Sequence, residues 1–194
     1  GLDYCPVLMR ADVSDEAQVK DMFTEIYRIF GGLDVLVNNA GISKVNVIQD
    51  TTLADWEEVV GVNLRGVFLC SREAARSMIS CGRGSIVNIA SIWGEVGASC
   101  EVAYSATKGG VIAFTKALAK ELAPSHITVN CVSPGVIDTE MNACFTEDEM
   151  EDLINQIPLG RLGSGEDVAS AVLFAAENSY VTGEVISVGG GFAK

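Results

Sequence analysis

Histidine is almost missing from this chain, with His126 standing alone among 194 residues. The six cysteines, Cys5, Cys70, Cys81, Cys100, Cys131 and Cys144, include no C-x-x-C pair. Zinc sites need clustered Cys and His ligands, so no metal site is expected. The thiols are expected to be reduced, partly buried residues of a cytoplasmic protein. No apolar run approaches the ~18 residues of a membrane-spanning helix, and the opening residues carry no secretory pattern. No membrane partner is therefore expected. Basic residues are also scarce: 13 Lys and Arg face 26 Asp and Glu, a net charge of -13. An acidic surface of this kind disfavours nucleic acid. Linkers, repeats and low-complexity stretches are absent. At 48% hydrophobic and 20% charged residues, the composition is that of one globular domain with a real core.

What is present is a regular alternation. Short apolar runs at 7–11, 33–38, 85–90, 127–132 and 185–188 read as strands. Between them lie stretches with helical spacing. Ser14 reads as the N-cap of a first helix carrying Val19, Met22, Phe23, Ile26 and Ile29, which Gly31 and Gly32 end. A second helical pattern starts near Thr52 and runs to about Ser80. A third covers 102–122 and is closed by Pro124. Shorter patterns occupy 146–156 and 165–177. Strands alternating with helices mean βα units and a mainly parallel sheet. Continuous apolar strands mean that both faces of that sheet are covered. The expected fold class is therefore α/β, a doubly wound parallel sheet, whose ligands bind beyond the carboxyl ends of the strands.

The chemistry-bearing residues sit at those ends. Ser91 follows the 85–90 strand. Tyr104 and Lys108 stand four apart near the start of the long helix, on one face. A lysine cation one turn from a tyrosine favours the phenolate and lowers its pKa. The tyrosine then exchanges a proton with an alcohol or carbonyl oxygen, and Ser91 can polarise that same oxygen. Asn38, Asn39, Ala40 and Gly41 form a small-residue turn after the 33–38 strand, open to close backbone approach by a ligand. Asn63 interrupts a helical pattern where asparagine is unfavoured, which suggests a kink or a bound water. Pro134 and Gly135 stiffen a turn whose backbone could hydrogen-bond a carboxamide, and Thr139 could reach a phosphate.

In combination these residues resemble the short-chain dehydrogenase/reductase family along the whole chain. The resemblance implies a Rossmann-like fold and an NAD(H) or NADP(H) cofactor, with NADP(H) favoured. It implies Tyr104 as acid/base, Ser91 as substrate orienter, Lys108 on the nicotinamide ribose and Asn63 holding a water of the proton relay. It also implies cofactor contacts from Asp12, Val13, Asn39, Ala40, Gly41, Tyr104, Lys108, Pro134, Gly135, Ile137 and Thr139. Within the family the chain looks most like bacterial 3-oxoacyl-[acyl-carrier-protein] reductases of fatty acid biosynthesis. Lys44, Arg65 and Arg72 are then candidate carrier contacts, with ordinary solvated charge as the alternative. Residues 141–157, with Met141, Phe145, Met150, Leu153 and Ile157, are expected to form a substrate lid. Relatives acting on a sugar, polyol or steroid alcohol share the pattern, as does an idle nucleotide-binding scaffold.

Two features depart from the family. Its Gly-rich fingerprint T-G-x-x-x-G-x-G is not matched anywhere. Val188-Gly189-Gly190-Gly191 stands where Val-Asp-Gly-Gly is usual. The resemblance places the 7–11 strand third in a sheet of order 3-2-1-4-5-6-7, so 1–194 is expected to be a domain incomplete at its N-terminus. Association into a dimer or tetramer through the long helices and the last strand is expected on the same ground.

Overall fold

A computed structural model describes residues 6–140 and 146–192. Its four strands, β1 (Val35–Asn38), β2 (Gly84–Ile89), β3 (Ile127–Pro134) and β4 (Val185–Val188), form one parallel sheet in the order β1-β2-β3-β4. The register runs Asn38 to Asn88, Asn88 to Cys131 and Ser133 to Ser187. Parallel neighbours need a crossover between them. Helices α1 (Glu16–Phe30), α2 (Leu53–Val60), α3 (Gly66–Cys81), α4 (Trp93–Val96), α5 (Val102–Leu122), α6 (Glu147–Asn155) and α7 (Gly165–Glu177) provide the connections. None of the described helices is long and apolar enough to cross a membrane.

Side-chain alternation along the strands divides the core into two layers. Ile86 and Val129 point to one face, where Val19 and Phe23 of α1, Leu69 and Met78 of α3, and Ala119 and Leu122 of α5 close over them. Val87 and Val132 point to the other face and meet Ala175 of α7. Helices on both faces make the sheet doubly wound, as the continuous apolar strands require.

Most local boundaries fall where the sequence places them, and three differ. The 7–11 segment is not a strand. It has no ladder partner among the described residues, and a strand exists only through its pairing. Leu8 is left 92% exposed. The N-cap of α1 is Asp15 rather than Ser14: Asp15 Oδ1 accepts from the Ala17 and Gln18 amides at 2.8 and 3.1 Å. Ser14 is drawn away, because its N–H and hydroxyl both donate to Asp12 Oδ1, at 2.8 and 2.7 Å. Finally, the helical stretch after Thr52 is not continuous. A π-helical turn at Gly61–Arg65 separates α2 from α3 and carries Asn63. A further element, α4, has no local signal ahead of it and is a single turn held tightly against α5. A Cβ on Gly94 would lie 2.6 Å from the Lys108 carbonyl carbon, so only glycine allows this approach.

Candidate active site

The site begins where β2 runs out. Sheet pairing continues past the strand: the Ala90 N–H donates to the Val132 carbonyl at 2.8 Å and the Ile92 N–H to the Pro134 carbonyl at 3.0 Å. Ser91 is pinned between these two bonds and is 6% exposed. Its Oγ accepts from the Trp93 N–H at 3.2 Å, which leaves the hydroxyl hydrogen to point elsewhere. The Tyr104 side chain, in the first turn of α5, is near enough that the Ser91 hydroxyl favours its phenolate. One turn on, Lys108 is 4% exposed. Its Nζ donates to the Ile89 carbonyl at 2.8 Å and sits 5.5 Å from the centre of the Tyr104 ring. Ser91, Tyr104 and Lys108 therefore gather at the carboxyl end of β2.

Their electrostatics differ from the expectation. Burial pulls the Lys108 ammonium down to about 8. The Tyr104 phenol is raised above its ordinary value, first by burial and then by the Glu101 carboxylate, while the Ser91 hydrogen bond opposes the rise. The ammonium lies over the ring face, and its hydrogen bond is directed to the backbone of β2 rather than to the phenol oxygen.

Asn63 is fully buried. A π turn carries one residue more per turn than the ladder on either side, and such turns re-aim a side chain. Here Asn63 Oδ1 accepts from the Ile42 N–H at 2.8 Å, and Nδ2 donates to the Ile42 carbonyl at 2.8 Å and to Thr107 Oγ1 at 3.2 Å. The loop after β1 is thereby clamped to α5. A Cβ on Gly41 would lie 3.4 Å from Lys108 Nζ and 3.5 Å from Asn63 Oδ1. The small-residue turn faces the lysine directly.

Beneath it runs a buried polar chain that joins Asn38 of that turn to Ser71, Asn88 and Thr115, which carry no motif. Asn38 Nδ2 donates to Ser71 Oγ at 2.9 Å and to Asn88 Oδ1 at 2.8 Å, and Asn88 Nδ2 donates to Thr115 Oγ1 at 2.9 Å. It ties α3, β1, β2 and α5 together under the site. The available signal was Asn88, a polar residue in the middle of an apolar strand.

The remaining expected residues fall into two groups. Val13, Asn39 and Ala40 line one cavity of about 130 Å³ beside β1. Asp12 is not among its lining residues; hydrogen bonds from Ser14 hold its carboxyl below the usual range. Beyond β3, the Gly135 N–H donates to the Val188 carbonyl at 2.9 Å. Ile137 bridges to Gly163, and Thr139 is exposed with Oγ1 turned to the Ile137 carbonyl at 3.4 Å. Pro134 is tied to the Ser91 stretch, since its carbonyl accepts from the Ile92 N–H at 3.0 Å. Of the expected lid, Met141 and Phe145 lie outside the described residues, while Ile157 is buried against Gly190. Lys44 pairs with Asp55 and Glu58 at 2.6 and 2.5 Å, and Arg72 with Glu16 and Glu73 at 2.8 and 3.1 Å. Both cations are already neutralised locally. Arg65 stands over Gly61, where an added Cβ would lie 2.9 Å from its Nη2.

A nicotinamide dinucleotide fits this donor set. The lysine ammonium has three donors, with Ile89 as its hydrogen-bond partner among the described residues, and the turn it faces has no Cβ at Gly41. Residues 3–193 match the family model described as enoyl-(acyl carrier protein) reductase. A 3-oxoacyl-[acyl-carrier-protein] reductase of Aquifex aeolicus is 49% identical over 178 residues, covering 91% of this chain and 72% of the relative. The enzyme of the same name from Thermotoga maritima is 43% identical over 182 residues, covering 93% and 74%. That from Staphylococcus aureus is 42% identical over 185 residues, covering 94% and 75%. With the site geometry and these matches together, the chain belongs to the short-chain dehydrogenase/reductase family.

Proposed function

We propose that this protein is a nicotinamide-dependent reductase of a 3-oxoacyl thioester presented by an acyl carrier protein, with NADP(H) favoured over NAD(H). The observation that carries the reading is the meeting of Ser91, Tyr104 and Lys108 at the end of β2, in a chain whose relatives bear that enzyme's name. A bound nicotinamide supplies the hydride for the carbonyl carbon. The Tyr104 hydroxyl gives a proton to the carbonyl oxygen, a task that suits a phenol kept protonated by burial. Ser91, one of its lone pairs occupied by the Trp93 N–H, donates a hydrogen bond to the same oxygen and polarises it. Lys108 orients the nicotinamide ribose. Asn63 holds the 39–41 turn in place, and Oδ1 retains a second lone pair that can accept from a water of the proton relay. Val13, Asn39, Ala40 and Gly41 line the adenosine side; Pro134, Gly135, Ile137 and Thr139 lie at the nicotinamide side. A cytoplasmic homo-oligomer is the matching setting.

The test is a spectrophotometric assay of NADPH and NADH oxidation with acetoacetyl thioesters and simple ketones. Thioester-dependent oxidation is expected, faster with NADPH. Tyr104→Phe should lower kcat by about 10²–10⁴-fold with nucleotide affinity kept. Full turnover in Tyr104→Phe, or no oxidation with any ketone, would sink the reading; the latter is the behaviour of an idle scaffold.

A further inference from the structure

Residues 98–101 lead from α4 into α5, and the reaction described above uses none of them. They are nonetheless fastened on two sides. Toward α5, the Ala98 N–H donates to Ser105 Oγ at 3.1 Å and the Ser105 N–H to the Glu101 carbonyl at 2.8 Å. Toward the loop after β1, the Ser43 hydroxyl donates to Glu101 Oε1, and the Asn46 N–H donates to the Cys100 carbonyl at 2.8 Å. Cys100 holds a φ of 62°, a left-handed conformation that a side chain with a Cβ seldom adopts. Tertiary contacts therefore impose this crossing.

The loop on the other side has little apolar burial to hold it: Val45 is 60% and Ile48 62% exposed. Lys44 anchors it to α2 through Asp55 and Glu58. Asn63 grips it at Ile42, just after the glycine that lies against Lys108. Ser43 is the next residue, and Glu101 is three residues ahead of Tyr104. A charged acceptor makes the stronger kind of hydrogen bond.

We propose that Glu101 is a positioning residue, whose carboxylate latches the 43–46 loop to the start of α5 and so holds residues 39–41 against Lys108. The consequence for the cofactor rests on the functional reading above; the latch itself does not.

Amide hydrogen exchange and nucleotide fluorescence titration test this on the full chain, comparing wild type with Ser43→Ala, Glu101→Ala, the double variant and Glu101→Gln. Each alanine variant should speed exchange at Asn46 by about fivefold and weaken NADPH binding by about as much; in Ser43→Ala, which leaves the Glu101 charge in place, kcat at saturating NADPH should change less than about twofold. The double variant should do no more than either single one. Glu101→Gln, whose amide oxygen still accepts from Ser43, should restore most of both. Unchanged exchange in the alanine variants, or additive effects in the double, overturns the latch. Faster exchange with unaltered NADPH affinity overturns its positioning role. A wild type that binds neither NADPH nor NADH refutes the functional reading instead, and the exchange measurement then decides the latch alone.

Discussion

Replacing Lys108 with methionine should make the protein more stable while abolishing turnover. Lys108 is 4% exposed, and among the described residues its ammonium donates to one backbone carbonyl, that of Ile89. Burial takes it from an ordinary 10.5 down to about 8. At ~1.4 kcal/mol per pH unit, holding the charge in the folded state costs roughly 3 kcal/mol at neutral pH. The sign follows from proton counting. Between about pH 8 and 10.5 the unfolded lysine keeps its proton and the folded one has lost it, so wild-type stability from this group rises with pH across that window. Below about pH 8 the full cost is present. Methionine has similar length and no charge. It forfeits the bond to the Ile89 carbonyl, about 1 kcal/mol. The net gain near neutral pH is then about 2 kcal/mol, or roughly 4–8 °C in Tm for a domain of this size. Denaturant titrations of both proteins without nucleotide, from about pH 7 to 10, measure it. Other titrating groups cancel in the difference between the two proteins. The variant's advantage should shrink above about pH 8 and reverse near pH 10. A difference that stays constant with pH would refute the argument, because it would mean that the lysine is not buried as a charge.

Two further perturbations probe the same region. Gly94→Ala places a Cβ 2.6 Å from the Lys108 carbonyl carbon and 2.8 Å from the Gly109 nitrogen. Moving α4 off α5 should cost about 1–3 kcal/mol and, by displacing Ser91 from Tyr104, cut kcat by roughly a hundredfold; stability and kcat measured together check it, and an unchanged kcat would contradict the geometry. The pH profile of ketone reduction should fall above about pH 8, where Lys108 loses its charge, because the Tyr104 phenol stays protonated beyond its ordinary range. A profile of kcat/KM that is flat to about pH 9.5 would show that the lysine charge is not needed.

Local signals determined much of this protein unaided. The bounds of α5 and α7 and the left-handed stop at Gly31 follow from contacts a few residues apart, such as the Ser164 and Asp167 capping box that opens α7. The Ser91, Tyr104 and Lys108 set was legible for the same reason. A strand end and an i, i+4 pair have fixed geometry, and the alternation of elements placed them at one end of one sheet. Tertiary structure decided the rest. The 7–11 run has strand composition, yet without a paired edge it forms no strand. Spacing put Lys108 beside Tyr104, and only packing turned the ammonium over the ring and toward Ile89, and set the phenol's acidity by burial, Ser91 and Glu101. The contacts of Asn38 with Asn88 and of Ser43 with Glu101 join residues 50 and 58 positions apart. Partners so distant leave no periodicity in the chain, because what brings them together is the stacking of helices on the sheet.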